Sequence, residues 1–166
     1  MGAIRLERAL AETAEVRALI SALDAELCAN YTSEQQHGIS FPALFEPPVR
    51  FFVAHTSEGA QGCGGVALFD DFAELKRMFV RKDARGSGVA NALIKQLMQE
   101  ATNAGLGLLR LETGVAQHRA IAFYRRHGFV DCAAFEPYSS MPATSIASSL
   151  FMEKPIYPQT IDARNR

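Results

Sequence analysis

ELKRMFVRKDARGSGVANALIKQLMQEA, residues 74–101, is the stretch from which the rest of the chain is read. Glu74 to Val80 has the make-up of a strand. It runs into a basic turn, then Gly86-Ser87-Gly88, then a segment whose apolar residues are Ala90, Leu93, Ile94, Leu97, Met98 and Ala101. Offsets of 3, 4, 7, 8 and 11 from Ala90 place them on one continuous stripe of a helix. Gly86 and Gly88 let the backbone come close to a ligand. The first N–H groups of the helix have no partner inside it, and the helix dipole favours an anion there. Lys76, Arg77, Arg81, Lys82 and Arg85 gather positive charge beside that point. A phosphate-bearing ligand is the expectation.

Working outward, the chain has 166 residues, 48% hydrophobic and 21% charged, enough for one folded domain with a core. A formal charge of -1 excludes a broadly basic nucleic-acid binder. No run approaches the ~20 apolar residues that span a bilayer, and the start lacks the apolar stretch of a signal peptide. A cytoplasmic protein with no membrane and no nucleic-acid partner is expected. Cys28, Cys63 and Cys132 are an odd, widely spaced set without CxxC. They read as small apolar side chains rather than as a disulfide frame, a nucleophile or a metal site, and no metal is implied.

Helices are expected over about Thr13–Leu27, Ala90–Ala101 with a stop at Gly105, and Gln117–His127 closed by Gly128. Strands are expected at Phe51–His55, Gly64–Phe69, Glu74–Val80, Leu108–Thr113, Phe129–Phe135 and Ser149–Lys154. Ser57–Gly62 reads as a turn. Residues 30–48 and 136–148 are irregular, and the polar end Ile161–Arg166 reads as a fraying tail. This order implies a mixed sheet covered by helices, in the α/β to α+β range.

Three phosphate motifs compete. The P-loop GxxxxGK[ST] is absent, because no Gly-Lys-Ser or Gly-Lys-Thr occurs. A GxGxxG fingerprint fails at Asn91 in the run Gly86–Asn91, and Gly62–Ala67 fits only a looser form that leads into a strand. The pattern that remains is R-x-x-G-x-A, carried by Arg85, Gly88 and Ala90.

With RGSGVA after MFV and before a long helix, and AIAFYRRHGFV about 30 residues on, the chain resembles the GNAT N-acetyltransferase superfamily. ELKRMFVRKDARGSG and LRLETG are similar to a bacterial small-molecule or auxin-type subgroup. The resemblance covers about residues 4–156 of a single domain spanning 1–166, with 157–166 as a tail. It implies a central, mostly antiparallel sheet of six to seven strands flanked by about four helices.

It further implies acetyl-CoA as co-substrate. Backbone groups of Met78 and Val80 would pair with the pantetheine arm. N–H groups of Arg85, Gly86, Ser87, Gly88, Val89 and Ala90 would hold the pyrophosphate. Gln117 stands where the family often has Asn. Tyr124 matches the family's acid, and an ordinary phenol near 10 suits a donor to a thiolate.

The acceptor would be a primary amine on a small molecule or peptide, attacking directly. An N–H of Phe79 or Val80 would steady the oxyanion. Glu74 either serves as the base, directly or through water, or forms a strand-end salt bridge with Lys76 or Arg77. By two-residue alternation it shares a face with Lys76, Met78 and Val80. Glu112 and Thr113 are secondary candidates at the end of their strand. His118 and His127 read as surface or capping residues. The alternative functions are a noncatalytic CoA-binding module and a nucleic-acid binder on the basic cluster. Residues 30–48 and 136–148 would set the acceptor, and a homodimer is the default assembly.

Overall fold

The computed structural model describes residues 2–157; the expected tail Ile161–Arg166 lies outside them. Seven strands are present: β1 (Arg5–Arg8), β2 (Val49–Thr56), β3 (Gly59–Leu68), β4 (Ala73–Val80), β5 (Leu108–Gly114), β6 (Val130–Asp131) and β7 (Ser149–Pro155). Four helices accompany them: α1 (Ala14–Cys28), α2 (Val89–Asn103), α3 (His118–Arg126) and α4 (Ala143–Ile146). The strands form one sheet in the order β1-β2-β3-β4-β5-β7-β6. All neighbours are antiparallel except β4 and β5.

Each long helix buries one stripe on the sheet. α2 sets Leu93, Ile94, Leu97 and Ala101 against Leu75, Leu109, Leu111 and Met152. Each fully buried Leu or Ile there contributes about 1.5–3 kcal/mol. α1 covers the opposite face, where Val16, Leu19 and Ile20 meet Phe51, Val53, Cys63 and Phe79. Its start is fixed by Thr13, whose Oγ1 accepts from the Val16 N–H at 3.2 Å. A third cluster, Phe135, Tyr138 and Phe151, lies under residues 136–148.

Several element expectations change. β1 was not expected, because RLER offers one apolar residue; it is an edge strand held only by β2. Ser57–Gly62 is mostly strand, with Gly59 at φ 100° and β3 running from there. β3 tolerates its glycines because its neighbours occupy their side-chain space. A Cβ on Gly62 would lie 2.8 Å from the Phe79 carbonyl oxygen, and one on Gly64 would overlap Met78 Sδ. β6 shrinks to two residues, since Phe135 leaves the sheet for the third cluster. Residues 136–148 hold a 3-10 turn at Tyr138–Ser140 and the short α4.

The feature that positions the site is a bulge in β4. Gly65 pairs with Lys76 and Cys63 with Phe79, so Arg77 and Met78 together face the single Gly64. Arg77 adopts φ 56°, an unfavourable conformation for an arginine. Its guanidinium is held in compensation, donating to Asp24 Oδ1 at 2.7 Å and to the Ile39 carbonyl at 3.2 Å. β4 pairs with β5 only through Ala73, Glu74 and Leu75, and beyond them the strands part.

The extra residue reverses the alternation. Lys76 and Phe79 share one face, with Cys63 and Gly65 opposite them, while Met78 and Val80 turn into the α2 core with Leu75. The expectation that Glu74 shares a face with Met78 and Val80 is therefore corrected.

Candidate functional site

A cleft of about 790 Å³ occupies the gap between β4 and β5. The turn before α2 borders it on one side, the start of α3 on the other, and residues 31–38 lie over it.

At one end stand the glycines. Gly86 and Gly88 have φ 82° and 91°, the left-handed region, and Gly88 caps α2. A Cβ on Gly86 would meet nothing within 4 Å, so the backbone here is open to a ligand. Not every amide from 85 to 90 is free. Arg85 N–H donates to the Lys82 carbonyl and Ser87 N–H to the Ala84 carbonyl, both at 3.3 Å. The Ser87 hydroxyl also turns back onto the Ala84 carbonyl. That leaves Gly86, Gly88, Val89 and Ala90 as the amides without a partner among the described residues. The Val89 side chain is core. Arg85 lies over this end, its Nε on the Val80 carbonyl at 3.0 Å and its Nη2 on both Glu26 oxygens at 2.8 and 3.0 Å.

Along the gap, Arg81 N–H donates to the Gln61 carbonyl in β3 at 2.8 Å. Alternation then turns the backbone of Phe79 toward β3 and that of Val80 toward the cleft. The contact from Arg85 to the Val80 carbonyl agrees. Met78, Phe79, Val80, Arg85, Gly86, Gly88, Ala90 and Gln117 all line the cleft, whereas Ser87 and Val89 do not.

Tyr124 lines the cleft and is 7% exposed. Burial, and then the charge of Glu112, push its phenol well above the ordinary value near 10. The hydroxyl has no partner among the described residues. It is thus a weaker acid than expected, and it holds its proton throughout the ordinary pH range.

Glu74 is 1% exposed. Its Oε1 accepts from Tyr138 OH at 2.5 Å and from Lys76 Nζ at 2.9 Å. Lys76 Nζ also donates to Tyr138 OH at 2.6 Å. The expected ion pair with Lys76 is formed, and Glu74 Oε2 is buried without a partner among the described residues. Burial and the neighbouring Glu74 push the Tyr138 phenol up.

Glu112 ends β5 inside the cleft. Ser149 Oγ donates to its Oε1 at 2.7 Å, and Oε2 has no partner among the described residues. Burial raises its pKa above the ordinary 4.5, against the opposing Ser149 bond and the charges of His37 and Lys76. Thr113 and His118 also line the cleft. His127 lies outside it, at hydrogen-bond distance from Asn91 Oδ1 (2.9 Å), and burial lowers its pKa.

Cys63 is buried and its thiol is pushed up to about 12, chiefly by desolvation, so it is inert. Cys28, expected to be buried, is exposed. Among the described residues no helix is long and apolar enough to cross a membrane.

Tyr138, His37 and Glu26 were not singled out from the sequence. Tyr138 is the only aromatic in the Ser- and Pro-rich run 136–148, the one local signal available for it.

A family model for the GNAT acetyltransferase domain matches residues 47–131. An IAA acetyltransferase of Azospirillum brasilense is 42% identical over 140 residues, 83% of this chain and 88% of its own. A solved Klebsiella pneumoniae protein assigned as an acyl-CoA N-acyltransferase is 34% identical, with a TM-score of 0.74, covering 93% of this chain and 98% of its own. A GNAT acetyltransferase of Elizabethkingia anophelis with acetyl-CoA bound shares the fold at 16% identity and a TM-score of 0.66, covering 92% and 98%. With the parted strands and the glycine turn expected from its sequence, the chain belongs to the GNAT acetyltransferase family.

Proposed function

We propose that the protein moves an acetyl group from acetyl-CoA directly to a primary amine, with no acyl-enzyme. The observation that carries this is the gap between β4 and β5, into which Val80 turns its backbone and which leads to the amides of Gly86, Gly88, Val89 and Ala90. A strand edge of that kind suits an amide-bearing arm, and the glycine turn with Arg85 suits a pyrophosphate. Acetyl-CoA supplies the activated thioester.

Four groups of this chain do the rest. The Val80 N–H donates to the carbonyl oxygen as charge develops on it. Glu112 Oε2 takes the proton of the acceptor amine. Tyr124 gives its proton to the departing thiolate. Gln117, at the start of α3, presents its amide to the bound arm. Glu74 is the less suited base, because its charge is already paired with Lys76 and its Oε1 is held by Tyr138, although its buried Oε2 has no partner among the described residues; it holds Tyr138 in place. No cysteine takes part: none of the three lines the cleft, and the buried Cys63 thiol keeps its proton.

Acetyl-CoA at millimolar concentration should raise the melting temperature, because it binds only the folded site. Release of free thiol should then follow addition of an amine. IAA, which carries no primary amine, is assayed beside the amines because the Azospirillum brasilense relative is named for it, and thiol release with IAA alone would overturn the amine reading. A melting shift without thiol release across the panel would leave a CoA-binding module. No shift at all would remove the whole assignment.

A further inference from the structure

We infer that the acceptor is a small free amine and that a polypeptide N-terminus is not a substrate. The inference rests on the amine-transfer reading above, and it comes from how residues 31–39 are tied down over the cleft.

That segment is fastened at three separate places. Tyr31 OH accepts from the Ala116 N–H at 2.9 Å, beyond the end of β5. The fit is close enough that a Cβ on Gly114 would overlap the Tyr31 ring and hydroxyl. His37 Nε2 donates to the Ser145 carbonyl at 2.8 Å; a carbonyl only accepts, so Nε2 carries the proton. This joins the two irregular segments, and the 3-10 turn Ser33–Gln35 lies against α4. Gly38 sits on the Arg77 guanidinium, where a Cβ would lie 2.8 Å from Cζ, and the Ile39 carbonyl accepts from the same group. The roof therefore meets the β5–α3 turn, the α4 segment and the β4 bulge.

The His37–Ser145 contact joins the two irregular segments beside the cleft that His37 and Glu112 line, so an extended chain entering between those segments would have to displace it. The whole cleft measures about 790 Å³. That is the scale of a pocket for one drug-sized ligand, about 300–1,000 Å³. Once a pantetheine arm shares it, the remainder fits a small molecule.

Charge points to the acceptor's head group. Lys76 is paired with Glu74 at 2.9 Å and Arg77 with Asp24 at 2.7 Å. Glu74 Oε2 and Glu112 Oε2 are both without a partner among the described residues, and of the two carboxylates Glu112 is the one not paired with a lysine, which suits an ammonium group.

The test uses matched probes: n-butylamine, phenethylamine and phenylalanine amide against the peptides Phe-Gly-Gly and Phe-Gly-Gly-Gly-Gly. Thiol release gives kcat/KM, and calorimetry on the CoA-saturated protein gives binding without turnover. At least one free amine should bind and exceed both peptides at least 100-fold. Peptides within tenfold of the best free amine overturn the inference, as does failure of every free amine to bind. Selective binding of free amines without thiol release upholds the closed chamber and overturns the transfer reading instead. His37→Ala, which removes the tie to Ser145, should raise peptide use relative to amine at least tenfold. Tyr31→Phe, which removes the tie to Ala116 but keeps the ring, should do so less. Unchanged discrimination in both folded variants overturns the roof as its source.

Discussion

Glu112→Gln should lower activity and raise stability with one substitution. Glutamine keeps the shape of the side chain and a carbonyl oxygen, so the Ser149 bond, 2.7 Å in the native protein, survives. What disappears is the buried charge and the ability to take a proton. Removing a general base costs about 10²–10⁴ in kcat. The stability effect has the opposite sign. Burial raises the folded-state pKa above the ordinary 4.5, so the stability tied to the protonated form is complete below 4.5 and is lost as pH rises through the folded value. The variant should therefore melt higher than the native protein at pH 8, with the gap closing below 4.5. In a chain of this size each 1 kcal/mol moves the melting temperature by about 2–4 °C. Native kcat/KM should fall on acidification through the same raised pKa, and that limb should vanish in the variant. Calorimetric melts at pH 4 and 8, with thiol-release kinetics at both, make the measurement. A rate within threefold of native where chemistry limits turnover removes Glu112 as the base. A lower melting temperature at pH 8 shows that its bonds outweigh the cost of burying the charge.

Tyr124→Phe should cut kcat by about ten- to a thousandfold, with acetyl-CoA affinity within twofold of native, because only an unpartnered hydroxyl is lost; single-turnover kinetics with calorimetric titration check both. Glu26→Gln should tighten acetyl-CoA binding about two- to fivefold at low salt, the range expected for releasing a half-exposed ion pair, and the gain should fade at high salt. It frees the Arg85 guanidinium, now bound to both Glu26 oxygens, for a phosphate, whereas Arg85→Ala should weaken binding. Gly114→Ala should destabilise by about 1–3 kcal/mol through its overlap with Tyr31; adding Tyr31→Ala should recover part of that loss in denaturant titrations, since the clash disappears with the ring.

What could be read from the sequence was what local pattern determines. The α2 stripe through Leu93, Ile94, Leu97 and Ala101 follows from spacing within one segment and is as expected. The two-signature pattern placed the chain in its family. β1 escaped because Leu6 is its single apolar residue and pairing with β2 supplies what its own pattern does not. The first half of β3, through Gly62, escaped because glycine reads locally as a turn, and the packing of Phe79 and Val89 into the vacated side-chain space makes it a strand. Tyr138 was missed because its partners, Glu74 and Lys76, lie more than 60 positions away.

Arg77 shows why the chemistry was harder to place than the fold. Nothing in ELKRMFV marks the arginine as left-handed; its partners are Asp24 on α1 and the Ile39 carbonyl in the roof. Yet this residue sits in the bulge that follows the last β4–β5 pair at Leu75, and beyond the bulge the faces are exchanged. Glu74 was assigned to the wrong face for that reason alone. The same guanidinium also fixes the roof segment against the bulge at Gly38 and Ile39. The parting of β4 from β5 and the seating of the roof segment over the cleft thus both involve one side chain. A change at Arg77 should perturb both together, whereas changes at Glu26 or His37 should perturb one each.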